Sequence, residues 1–192
     1  MNIAFRTRSS LQSAGRLILA AAALISPGAS LAAQQPPAPG PSGTDIQREA
    51  MHKLSFLAGH WSGPISVSRG SGEPVKLTQT EEIEYKLGGL VLLIEGTSRN
   101  ADGKVAFNAL ATVAYDDATR TYRFRAYNDG HYVDTELTVV ANGFSWGFDS
   151  GPAHIVNTMH LTDKGEWSEA TDVTFGGNPP HRSVDMLLQH RP

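Results

Sequence analysis

From Trp61 almost to the C-terminus, apolar and polar residues alternate in strand-length runs, and short Gly, Asp and Asn clusters separate the runs. A period of two puts successive side chains on opposite faces, which is the signature of half-buried β-strands. The first run, Trp61 to Arg69, sets Trp61, Ile65 and Val67 on one face. The second, Val75 to Lys86, sets Val75, Leu77, Ile83 and Tyr85 against Lys76, Thr78, Glu82, Glu84 and Lys86. Gly88-Gly89 turns the chain into Leu90–Ile94, which is apolar on both faces and so predicts cover on both sides. Asp102-Gly103, Asp129-Gly130 and Asn142-Gly143 are hairpin signals. Between them run Val105 to Tyr115, Tyr122 to Ala126 and Val133 to Val139. Phe144 to Phe148, Ile155 to Leu161, Trp167 to Phe175 and Val184 to Leu188 complete about ten strands.

Ahead of the ladder, Ile46, Ala50, Leu54 and Leu57 recur at helical spacing. Thr44 and Gln47 fit a capping box, and Gly59 fits a left-handed stop. The expectation is one amphipathic helix, about residues 45 to 57, whose apolar stripe lies over an edge or open end of the sheet. No helical segment interrupts the strands, so parallel crossovers have no place and the pairing is antiparallel. A long meander avoids open edges by closing on itself. The fold expected is all-β: an antiparallel up-and-down barrel of about ten strands with one N-terminal helix. A two-sheet sandwich without internal space is the competing architecture.

The N-terminus changes the picture of where this domain works. Arg6, Arg8 and Arg16 precede the short apolar run Leu17–Ile25. Pro27-Gly28 follows, then the small residues of Ser30-Leu31-Ala32. This is the pattern of a cleavable secretion signal, 1–32, cut after Ala32, and it is too short to span a membrane. It predicts a periplasmic or secreted protein. Residues 33–43 are rich in Pro and Gly and read as a linker, leaving 44–192 as one barrel domain. Loss of the leader takes three of 16 basic residues and none of 19 acidic ones, a net charge of −6 for the remainder. That excludes the basic footprint of a nucleic-acid binder, and no like-charge block marks a membrane surface. Cysteine is absent, so disulfides, thiolate metal sites and cysteine nucleophiles are excluded.

Closure gives the barrel an inside, and polar residues sharing parity with inward apolar positions are the candidates for function. Gln79 and Glu81 share the face of Leu77 and Ile83. Glu95 shares the face of Val91 and Leu93, and Asn128 that of Phe124 and Ala126. Asn157 lies between Ile155 and Met159, Glu169 and Thr171 lie between Trp167 and Val173, and His190 follows Leu188. Inward carboxylates are costly unless paired or wet, so the set implies a hydrated or ligand-filled interior. Trp61, Trp146 and Trp167 fall on the apolar face. Trp61 reads as a barrel-end plug, and the other two could stack on a flat ligand. The ligand-binding candidates are Glu81, Glu95, Asn128, Trp146, Asn157, Trp167, Glu169 and His190.

Local catalytic motifs are missing. Gly59-His60-Trp61-Ser62-Gly63 is not a nucleophile elbow, and Gly70-Ser71-Gly72 lacks the helix of a phosphate loop. His154 and His160 lie too far apart along one strand to share a metal. No metal site, cofactor or catalytic residue is assigned.

Leu54–Gly63 (LSFLAGHWSG), Gly88-Gly89-Leu90 with Glu95-Gly96, Tyr115-Asp116 leading to Tyr122–Tyr127, and Gly143-Phe144-Ser145-Trp146 together resemble a bacterial family of unknown function with a lipocalin-like (calycin) barrel. The resemblance covers most of 45 to 191. It implies the barrel and no set activity. The opening Gly-x-Trp-x-Gly is also similar to that of the haem-binding nitrobindins. That likeness implies an inward histidine near the C-terminus, for which His190 has the parity, while Pro64 departs from the nitrobindin opening. Three functions follow as expectations: a binding module holding a small, partly apolar ligand, an enzyme using interior carboxylates as acid and base, and a haem binder through His190.

Overall fold

A computed structural model describes residue 40, residues 42–68, residue 70 and residues 72–192. The expected signal, and the expected linker up to residue 39 and at residue 41, lie outside these residues. Helix α1 (Gly43–His52) and a 3-10 turn (Ser55–Leu57) precede ten strands. These are β1 Gly59–Val67, β2 Val75–Lys86, β3 Val91–Arg99, β4 Val105–Asp116, β5 Thr121–Asn128, β6 His131–Val140, β7 Gly143–Ser150, β8 Ala153–Leu161, β9 Trp167–Phe175 and β10 His181–Arg191. Each strand pairs with its neighbour in sequence, and β1 pairs antiparallel with β10, so the sheet closes into an up-and-down barrel. A closed sheet with an interior replaces the sandwich alternative.

Tight turns follow the local chemistry. Asp129 and Gly130 both take positive φ, 48° and 76°, as a two-residue hairpin of matching twist requires. Asn142-Gly143 is offset from the expected pair. Asn142 has the positive φ of 56°, while Gly143 already pairs with Val140 and His160. A Cβ on Gly143 would stand 2.5 Å from the Met159 carbonyl oxygen, so its bareness serves a close approach of strands.

The helix starts earlier and ends sooner than its periodicity predicts. Ser42 is the N-cap: its Oγ accepts from the Asp45 amide, and the Asp45 carboxylate accepts from the Ser42 amide. Asp45 thus fills the capping-box position assigned to Gln47 on sequence, and Gln47 instead donates Nε2 to Asp117 Oδ1 at 2.7 Å. The helix does not reach Gly59. Gly59 opens β1 with φ of 123°, and a Cβ there would stand 2.4 Å from His190 Nε2.

Helix α1 takes one of the two places expected for its apolar stripe, an open end of the sheet. It plugs one end of the barrel. Tyr85 and Tyr122 donate their hydroxyls to the carbonyls of Met51 and Ala50 at 2.7 and 2.8 Å. Trp61 Nε1 donates to the Leu57 carbonyl at 2.7 Å. Met51, Leu54 and Leu57 are buried to within 1% and belong to one core with Trp61, Leu92, Val113, Met159, Trp167 and Leu188. Trp61 therefore is the end plug its position predicts.

The outer wall is charged. Arg123 and Arg125 bridge to Asp134, and Arg182 reaches Asp172 and Asp185. These pairs are partly or largely exposed on the outer face. Among the described residues, no helix is long and apolar enough to cross a membrane.

Candidate functional site

Side-chain size divides the interior into two halves. At the helix end, Met51, Leu54, Leu57, Leu92, Val113, Met159 and Leu188 fill the space with branched or long side chains. Towards the other end, inward positions on β3, β4 and β5 carry Gly96, Ser98, Ala109, Ala111 and Ala126. Small residues on one wall leave volume that the opposite wall does not fill. The result is a chamber of about 550 Å³ opening at the end away from α1. That size suits a small-molecule site. Phe107, Tyr127 and Tyr132 stand exposed around its mouth, with Asn128, His131 and Ser150.

The chamber has two polar walls. On the β2–β3 side, Gln79, Glu81 and Ser98 are buried and linked: Ser98 Oγ donates to Gln79 Oε1, and Gln79 Nε2 donates to Glu81 Oε1 at 2.6 Å. Gly96 faces them, and a Cβ there would lie 2.9 Å from both Glu81 carboxyl oxygens and 3.0 Å from Gln79 Nε2. On the β8–β9 side, Thr171 Oγ1 donates to Asn157 Oδ1 at 2.7 Å, and Trp167 Nε1 donates to Glu169 Oε2 at 2.9 Å. Between these walls, Phe124 and Trp146 pack at 4.4 Å between ring centroids, and Trp146 stacks on Phe148 at 5.7 Å.

Two carboxyl groups facing an apolar chamber do not hold charge as they would in water. Burial is the main cause of the rise of Glu81 to about 8, with the nearby Glu169 adding to it and the Gln79 hydrogen bond opposing it. Burial pushes Glu169 to about 7, opposed by the Trp167 hydrogen bond. At neutral pH Glu81 is mostly protonated and Glu169 is poised. Such a pair can donate a hydrogen bond, accept one, or release a proton to an incoming cation.

Six of the eight candidates named on sequence come together. Glu81, Asn157, Glu169, Trp146 and Trp167 line the chamber, with Trp167 mostly beneath its floor, and Asn128 sits at the mouth, its amide donating to the Asn108 carbonyl. Two do not. Glu95 is exposed on the outer wall, because β3 pairs with β2 so that Glu81 is opposite Gly96 and Glu82 is opposite Glu95. The inward face of β3 is that of Leu92, Ile94, Gly96 and Ser98. His190 is exposed at the helix end, edge-on to Trp61 at 4.9 Å, and does not line the chamber. A haem inside the barrel would not find it as an axial ligand; the histidine of the described lining is His131, at the mouth. Among the described residues no cluster of three or more His, Asp or Glu side chains is placed to hold a metal.

Sequence reasoning missed Ser98 and Gly96, which follow from the β3 face, and the aromatic wall of Phe124 and Phe148. The signal for the first two was present: Gly96 and Ser98 are small residues two apart in a strand otherwise rich in large apolar ones.

No family model matches the sequence. No curated protein matches it. In three dimensions the chain is similar to the crystal structure of Rv2717c from M. tuberculosis, with a TM-score of 0.57 and 14% identity over 74% of this chain and 98% of that one. At that identity the likeness is one of fold, and the chain is a ten-stranded antiparallel barrel closed at one end by a helix.

Proposed function

We propose that this domain is a lipocalin-like binding module, exported to the periplasm or beyond, that holds a small, partly apolar molecule inside its barrel. The observation that carries this reading is the chamber of about 550 Å³, open at one end and lined by both an aromatic wall and two hydrogen-bonded polar clusters. A core that served stability alone would fill such a volume, since a cavity of even one methyl group is destabilising. The polar groups are few and converge from opposite walls, as orientation of a single ligand requires. The export signal in 1–32 and the charge-poor interior accord with a carrier or sensor of small molecules outside the cytoplasm.

The test uses N-phenyl-1-naphthylamine, an apolar fluorophore uncharged at neutral pH. Its emission should rise saturably with one site per chain, and Ala126→Trp or Ala109→Phe, each aimed into the chamber, should abolish the rise while circular dichroism stays that of a β-barrel. A wild-type protein that gives no saturable signal, or filled variants that bind as well as wild type, would contradict the reading.

A further inference from the structure

Resting on the reading of the chamber as a ligand site, we propose that its ligand carries a protonated amine, received by Glu81 and Glu169, on an apolar or aromatic body that lies against Phe124, Trp146 and Phe148. The argument starts from the charges that line the space. Glu81 and Glu169 are the acidic residues among its described lining, and no lysine or arginine accompanies them. The other titratable groups there are His131, Tyr127 and Tyr132, all exposed at the mouth. Glu81 has Trp61 and Gly96 as its ladder partners and Gln79 as its hydrogen-bond donor, and Glu169 has Met159 and Met186 as ladder partners and Trp167 as donor; none of these brings a positive charge. A pair of like-signed groups thus meets no countercharge from the protein.

The hydrogen bonds point the same way. Each carboxyl group uses one oxygen towards a protein donor, Glu81 Oε1 to Gln79 and Glu169 Oε2 to Trp167. Among the described residues no side chain donates to Glu81 Oε2 or Glu169 Oε1. An ammonium group carries three donors and no acceptor, and so matches a carboxyl oxygen left open on these facing walls once that carboxyl group has given up its proton. A carboxylate or phosphate ligand would meet repulsion and no cation. For a metal ion the chamber offers two carboxyl groups with Ser98, Asn157 and Thr171 already hydrogen-bonded to protein partners, and among the described residues no cluster of three or more His, Asp or Glu side chains is placed to hold one. The aromatic faces favour a cation or a flat apolar body.

Binding also moves a proton. The amine enters as the ammonium; the O–H bond of a protonated carboxyl group breaks, its proton passes to solvent, and the carboxylate pairs with the ammonium. The second carboxyl group can keep its proton and donate to its neighbour. Near pH 6.5, where both acids hold their protons for much of the time, about one proton should appear per ligand bound.

Displacement of bound N-phenyl-1-naphthylamine at pH 7 decides the matter. Two matched sets are titrated: tryptamine, tryptophol and indole-3-propionate, and octylamine, octanol and octanoate. At least one amine should displace the probe at a concentration about tenfold or more below that of its alcohol, with the acid weakest. In the double variant Glu81→Gln/Glu169→Gln, with each displacement referred to that variant's own probe affinity, the order of amine, alcohol and acid should be lost. In calorimetry at pH 6.5, the amine's heat should vary with the buffer's ionisation heat. Amines no better than their alcohols, or an acid that competes best, or an order unchanged in the double variant, would overturn the inference while leaving the chamber reading in place. Failure of the probe itself to bind would instead overturn the chamber reading.

Discussion

The Glu81 carboxyl group occupies the space that a side chain at position 96 would fill: both of its oxygens lie 2.9 Å from where a Gly96 Cβ would stand. The two positions face each other across β2 and β3, Glu81 opposite Gly96 in the ladder. Gly96→Ala should therefore push the carboxyl group off its Gln79 hydrogen bond and cost on the order of 1–2 kcal/mol. In Glu81→Ala the same substitution should cost much less, because the two nearest atoms it meets are gone and only Gln79 Nε2, at 3.0 Å, remains close. A double-mutant cycle by urea denaturation should give a coupling of about 1 kcal/mol or more. Additive effects would mean that the carboxyl group lies elsewhere.

The raised acids make stability depend on pH in a stated direction. Both groups bind protons more tightly folded, near 8 and 7, than unfolded, near 4.5. Their contribution is whole below pH 4.5 and is lost as pH rises through 7 and then 8. Within that window each raised group can take up to about 1.4 kcal/mol per pH unit from the folded state. Glu81→Gln keeps an acceptor for Gln79 and removes the titration. It should be close to neutral at pH 5 and more stable than wild type at pH 8.5, as read by thermal melts across pH.

The helix plug makes separate predictions. Tyr85→Phe and Tyr122→Phe each remove a hydroxyl donor to the carbonyls of Met51 and Ala50 and should cost about 1 kcal/mol apiece. Met51→Ala opens a hole in a fully buried position and should cost about 2–5 kcal/mol. Because the plug lies at the end opposite the mouth, the surviving folded variants should bind the apolar probe as wild type does.

Glu95 offers a control outside the chamber. It stands directly across from Glu82 on the outer wall, a like-charge pair that weakens the ladder. Glu95→Lys should raise stability by about 0.2–1 kcal/mol and leave probe binding unchanged. Lost binding in this variant would return Glu95 to the interior.

Strand existence, closure and one inward face were legible because most runs alternate cleanly. In β2 the sequence from Leu77 to Tyr85 admits a single inward set, and Gln79 and Glu81 fall on it. In β3 the run Leu90–Ile94 is apolar on both faces, so alternation carries no parity there; pairing with β2 decides it and turns Glu95 out. His190 has inward parity, but parity says nothing of height along the barrel. Trp61 and Leu188 lie between it and the chamber. The chamber's volume was illegible for a related reason: it comes from small residues on β3, β4 and β5 meeting at one level, and level depends on the stagger of ten strands.

The most direct test of the account is a carbon-13 NMR titration of glutamate carboxyl groups in the labelled protein, with Glu81→Gln and Glu169→Gln to assign the signals. Two glutamates should titrate far above the rest, near 8 and near 7; each substitution should remove one, and Glu169→Gln should also lower the titration of Glu81. If every glutamate titrates in the ordinary carboxylate range, the two acids face bulk water, and the enclosed chamber with its facing carboxyl groups is contradicted.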